Sequence, residues 1–213
     1  MTYAQIQERV LKLLNRHSMA GSLIPTSYNN QQDYLNRIPS LVNDAMMEIA
    51  TTARKIPAVL DLAELEGEDL GETRRYALPE DFYQFRTGDT LLRTRSGQTL
   101  HTNRYALQGR NYLLVPAAEL AEGGRYEVGY YRYPALLPDK PAGDTELDNV
   151  PEAHDAAAFY TAAFLALHDD DFLFASLYNK YEDKLKKLGP GVSAEVHDLD
   201  EAAGMGNYGV YEV

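Results

Sequence analysis

The 213-residue chain contains no cysteine and no tryptophan. Without thiols it has no disulfide framework, no cysteine nucleophile and no cysteine-ligated zinc. No apolar run approaches the roughly 20 residues that span a bilayer as a helix. Charges interrupt the opening "MTYAQIQERVLKLLNR", and no small-residue cleavage site follows it, so the sequence predicts no secretory signal and a soluble protein made in the cytoplasm. Positive charge is scarce: 20 lysines and arginines stand against 32 acidic residues, a net charge of −12. An acidic surface repels phosphates, which disfavours general nucleic-acid binding. The basic pairs and clusters that exist, Arg74-Arg75 and Lys184/Lys186/Lys187, read as solvated strand-edge and helix-end residues. Also missing are a G-x-S-x-G elbow, a P-loop and a G-x-G-x-x-G turn.

What is present is ordinary in proportion for a globular chain, with 45% hydrophobic and 24% charged residues. Tyrosine is the exception, at 16 residues. Its ring packs while its hydroxyl seeks a partner, which suits buried interfaces.

Spacing predicts a first helix over 3–17, with Ile6, Val10, Leu13, Leu14 and His17 on one face and Thr2 as N-cap. "AGSLIPTSYNNQQD" breaks the pattern. A second helix is predicted over about 38–54, with Pro39 in its first turn and Pro57 ending it. From about 57 to 134 the period shortens to two, and "RRYALP", "FYQFRT", "TLLRTR", "QTLHTN", "NYLLVP" and "RYEVGYYRYP" read as strands. Turn signals at Ser96-Gly97, Gln108-Gly109 and Gly123-Gly124 imply antiparallel hairpins. A proline-rich loop, 133–151, leads to a third helix over about 151–168 and a fourth over about 171–188, stopped by Gly189-Pro190. The expected fold is α+β: a mostly helical bundle with an inserted small antiparallel β meander and an extended C-terminal tail. Its expected parts are N-terminal bundle helices (1–56), the meander (57–137), C-terminal bundle helices (138–188) and the tail (189–213).

Residues 190–213 carry five acidic residues and no lysine or arginine, then end in "YGVYEV". A polar linker with a β-prone end has the make-up of a docking segment; a frayed terminus has the same composition.

The most chemically suggestive stretch is "PEAHDAAAFYTAAFLALHDDD", residues 151–171. His154 and His168 lie 14 residues apart, about 21 Å along one helix, so they cannot share a metal. The run His168 to Asp171 places adjacent side chains around a helix rather than converging them. His154-Asp155 lacks the spatial approach of a catalytic dyad. The stretch reads as two helices with good capping, and no catalytic or metal-ligating residue and no cofactor is assigned.

The order of the pieces carries more. "NRIPSLVNDAMMEIATTAR", "YALPEDFYQFRT", "YEVGYYRYPALLP", "DTELDNVPEAHDAAAFYTAAFLALHDDD" and "YNKYEDKL" together resemble the head–tail connector, or adaptor, proteins of tailed bacteriophages. The resemblance covers about residues 1–188. It implies a structural virion protein at the capsid–tail junction, forming a homo-oligomeric ring of typically twelve copies beneath the portal protein. Such a ring receives the tail or a second connector protein and extends a channel through which DNA passes without specific binding. It also implies a tail reaching onto the portal, which makes Tyr208, Val210, Tyr211 and Val213 docking candidates. The strand Tyr126 to Tyr133 has tyrosines on both faces, so Tyr126, Tyr130, Tyr131 and Tyr133 are candidates for subunit or tail contacts. The competing readings are another tail-completion or minor virion protein, a metal-dependent hydrolase using His154 or His168, and a glycan-binding β module.

Overall fold

A computed structural model describes residues 1–15, 28–86, 91–95, 98–102, 105–109, 111–120, 125–167 and 169–189. The chain divides into two compact units, Met1–Lys55 with Pro134–Val213, and Ile56–Tyr133.

The first unit is built from α1 (Tyr3–Leu13), α2 (Tyr28–Thr52), α4 (Pro151–Ala166) and α5 (Asp171–Leu188). α1 starts where its sequence says it should. Thr2 Oγ1 accepts from Gln5 N at 3.4 Å, and Gln5 Oε1 accepts from Thr2 N at 3.0 Å, a reciprocal capping box. The helix ends at Leu13, short of the expected residue 17. Leu14 caps it, and Asn15 turns the chain at φ 54°. His17 lies outside the described residues.

α2 begins ten residues earlier than expected, at Tyr28, so Pro39 sits inside the helix rather than in its first turn. Proline supplies no N–H to the carbonyl four residues back, a loss that normally ends a helix. Here Ile38, Val42, Ala45, Met46 and Ile49 are all at most 4% exposed, and this packing outweighs the missing bond.

α4 packs against α1, α2 and α5. It is apolar nearly all round: Ala153, Ala156, Ala157, Ala158, Thr161, Ala162, Ala163, Leu165 and Ala166 are buried together with His154. A helix packed against three others buries more than a single stripe, leaving Asp155, Phe159, Tyr160 and Phe164 only partly covered. Against α4, α5 sets Leu177 and the wholly buried Tyr181.

The second unit holds nine strands among the described residues, in two antiparallel sheets. In the larger, β9 (Arg125–Arg132) is central. One edge of it pairs with β1 (Ile56–Asp61), the other with β4 (Phe82–Phe85) and β5 (Leu91–Arg95), and β6 (Gln98–Thr102) closes a hairpin with β5. The smaller sheet runs β2 (Gly67–Asp69), β3 (Thr73–Ala77), β8 (Tyr112–Pro116), β7 (Ala106–Gln108). Gly109, at φ 64°, makes the β7–β8 turn that the Gln108-Gly109 signal predicts. A one-turn helix, α3 (Ala117–Leu120), follows β8. Leu62, Tyr76, Leu113, Val115, Tyr126 and Val128 form this unit's core.

The expected mostly helical bundle with a small meander is therefore wrong. Among the described residues, strands fill a compact unit of their own as two sheets of five and four strands. The missed strands explain the error. β2 and β7 have three residues each, too short to show alternation, and β1 opens with Ile56-Pro57, which reads as a helix stop. Pro57 is tolerated because β1 is an edge strand of its sheet.

Candidate functional site

The motif "TELDNVPEAHD" (145–155) forms a clasp in the helical unit. Tyr3 N donates to Thr145 O at 2.8 Å, Leu147 N donates to Met1 O at 3.0 Å, and Thr2 bridges Glu146. Asp148 Oδ2 accepts from Ala135 N at 2.9 Å. Asn149 takes a left-handed conformation, φ 72°, which asparagine tolerates better than most residues. Its amide donates to Arg54 O at 3.2 Å and its carbonyl accepts from Val150 N at 2.8 Å. One short loop thus ties together the chain's start, the end of α2, the segment after β9 and the start of α4. Pro151 then occupies the first turn of α4, where a missing N–H costs nothing.

His154 is 2% exposed within this clasp. Its Nε2 lies 2.6 Å from Asp148 O, and its Nδ1 lies 2.9 Å from the Met1 ammonium. A carbonyl only accepts, so Nε2 carries the hydrogen and Nδ1 accepts from the ammonium. Both bonds fit a neutral ring. Burial, above all, lowers the pKa of His154 from the usual histidine range; the Asp148 carbonyl pulls the other way. Asp155 does not approach this ring as a dyad partner. Its carboxylate pairs with Arg9 of α1 and Lys184 of α5, and both cations also lie over the Phe159 ring, at 6.0 and 5.4 Å. His154 secures a loop, and Asp155 fastens three helices.

Beside this network lies a cavity of about 600 Å³, lined by Arg54, Val150, Pro151, Lys184, Lys187 and Leu188, with Met1, Glu152 and Asp155 on the same wall. Arg54 and Lys187 make no ion pair with a described residue. The sequence shows the Lys184/Lys186/Lys187 cluster, read there as solvated helix-end charge, but not that Arg54, 133 residues before Lys187, lines the same cavity.

The aspartate run resolves as capping. Asp170 is the N-cap of α5, its Oδ1 accepting from Leu173 N at 2.9 Å, and Asp169 accepts from the Tyr34 hydroxyl. His168 lies outside the described residues. Among the described residues no group of three or more His, Asp or Glu side chains is placed to hold a metal ion. The second residue of α5 beyond this cap, Phe172, is 85% exposed.

In the β unit, the four candidate tyrosines separate by face. Tyr126 and Tyr130 are buried, at 5% and 6% exposure. Tyr126 donates to Glu119 O; Tyr130 donates to Asp81 Oδ1 at 3.3 Å and stacks on Phe82 at 5.7 Å. Burial, then the Asp81 carboxylate, raises the pKa of Tyr130. Tyr131 and Tyr133 are half-buried, and Tyr133 packs against Tyr83 at 5.1 Å. Tyr83 and Tyr133, with Pro79, Glu80, Phe82 and Tyr112, line a second cavity of about 410 Å³. The tyrosines of one face of β9 thus have a cause within the chain: the strand is bonded along both edges and buries its Tyr126–Val128–Tyr130 face in its own unit. Tyr208, Val210, Tyr211 and Val213 lie outside the described residues.

No helix among the described residues is long and apolar enough to cross a membrane. A family model described as "SU10 adaptor protein" matches residues 1–204. No curated protein matches the chain.

Proposed function

The chain belongs to the SU10 adaptor protein family, structural adaptors of the phage virion, and from that premise we propose that its copies form a ring beneath the portal that joins capsid to tail. The observation that carries the proposal is the extent of the match. Residues 1–204 include the whole β unit and all four long helices of the helical unit.

Three features support the reading. Net charge of −12 on each copy, repeated around a ring, gives a channel wall that repels DNA and lets it slide. Large apolar side chains stand in water, Phe172 at 85%, Val59 at 60% and Leu136 at 58% exposure, as surfaces that meet other proteins do. Asn43 holds Leu137 by two hydrogen bonds, 2.9 Å to its carbonyl and 2.8 Å from its N–H, so the neighbouring Leu136 is presented on a fixed backbone. In the β unit, Tyr131 and Tyr133 provide the outward contacts, while Tyr126 and Tyr130 brace the strand from within. The segment ending Tyr208, Val210, Tyr211, Val213 docks onto the portal.

The test is the composition of purified particles. Peptides of this chain should appear in a fixed ratio to the portal protein, and particles made without it should hold heads that fail to join tails. Its absence from intact, infectious particles would overturn the proposal.

A further inference from the structure

We propose that the acidic run within residues 190–204 seats in the Arg54–Lys187 cavity of its own chain's helical unit, leaving the tyrosine–valine end beyond it free for a partner. This inference is independent of the ring reading: it concerns one copy alone.

Position is the first observation. α5 ends at Leu188, and both Lys187 and Leu188 line the cavity, so the described chain ends beside it with 24 residues still to follow Gly189. Gly189 has φ 52° and ψ 175°, a left-handed conformation that takes the chain off the helix axis at no steric cost. From Gly189 to Glu195 an extended chain reaches roughly 20 Å, ample for doubling back.

Charge is the second. Arg54 and Lys187 face the cavity without an ion-pair partner among the described residues, and Lys184 shares Asp155 with Arg9. Glu152, exposed on the same wall, offsets part of this field but not all of it. Residues 190–204 contain Glu195, Asp198, Asp200 and Glu201 and no lysine or arginine. Val192, Val196 and Leu199 are interleaved with these acids, matching a cavity whose lining combines the apolar Val150, Pro151 and Leu188 with Arg54, Lys184 and Lys187. At about 600 Å³ the cavity lies within the size range of sites that enclose a few side chains.

The family boundary is the third. The match ends at residue 204, so it includes the acidic run and excludes Tyr208 to Val213. The C-terminal segment therefore has two parts of different chemistry, an acidic one suited to the cavity and an aromatic one that is not.

Amide hydrogen exchange on the full-length protein tests this. At low salt, amides of 190–204 should exchange about tenfold more slowly than the same amides in the double variant Arg54→Glu/Lys187→Glu, with protection of α4 and α5 unchanged. They should also lose protection in about 1 M salt, where the Debye length is only about 3 Å. Should the double variant misfold, Glu195→Lys/Asp198→Lys/Asp200→Lys/Glu201→Lys, which leaves the helical unit untouched, should give the same loss. Unprotected exchange of 190–204 in the unmodified protein would overturn the proposal, as would protection that survives both reversals. Protection that falls on dilution would also overturn it, because the run would then be seated in a second copy.

Discussion

Replacing Ala157 with leucine should damage the helical unit more than deleting its side chain does. Ala157 is 0% exposed, and its helix, α4, is packed by α1, α2 and α5. Leucine adds three carbons at a position with no access to solvent. Overpacking a closed core typically costs about 1–3 kcal/mol, and the complete burial of this position places Ala157→Leu near about 3. In a chain of this size, each kcal/mol lowers Tm by about 2–4 °C, so a fall of about 6–12 °C is expected. Ala157→Gly removes one methyl and loosens the backbone, costing about 1 kcal/mol, or about 2–4 °C. Thermal unfolding followed by circular dichroism at the helix band gives both numbers. On an exposed helix face the order would reverse, since leucine is nearly as good a helix former as alanine and glycine is far worse. Ala157→Leu melting at or above the unmodified protein, or Ala157→Gly melting below Ala157→Leu, would refute the enclosed-helix account.

His154, whose folded pKa is lowered, should make stability fall with acid. Its contribution is full above the unfolded pKa of about 6.5 and is lost as pH drops below it, because the unfolded chain takes up the proton first. The Tm difference between the unmodified protein and His154→Gln should therefore be largest above neutrality and shrink between about pH 6.5 and 5; a constant difference would contradict a buried neutral ring. Asp170→Ala, which removes the α5 cap, should cost about 1 kcal/mol by urea unfolding, and no change would show that the cap contributes nothing. Phe172→Asp should leave Tm within about 1 °C, the side chain being 85% exposed, yet weaken assembly with the portal. Unweakened assembly would remove Phe172 from the contact surface.

Signals that act within a few residues were legible in the sequence. Thr2 with Gln5, Pro151, Asp170 and the Gly189 stop each mark a helix end by local chemistry, and the structure places those ends within a residue. The six alternating runs all became strands. What depended on distant packing was not legible. Pro39 reads as a helix start, and only the buried faces of α2 explain why the helix runs through it. That α4 packs against three helices was not legible either, because a sequence does not say how many neighbours a helix has. β9 looked like a strand awaiting a neighbouring subunit, whereas much of its aromatic surface is used inside its own unit. Of the cationic cavity the sequence shows only the Lys184/Lys186/Lys187 cluster, not its meeting with Arg54. Arg54 and Lys187 line one cavity through long-range packing, of α2 on α4 and α4 on α5, with Asn149 of the clasp donating to Arg54 O.

The central claim, a ring-forming adaptor on the portal, is tested most directly by weighing the complex. The protein is mixed with the portal ring of the same phage, and particle masses are read by mass photometry. The ring account predicts a discrete shift equal to about a dozen copies of the 23.9 kDa chain, with few intermediate species. A portal mass that does not change, at concentrations where both proteins are folded, would contradict it.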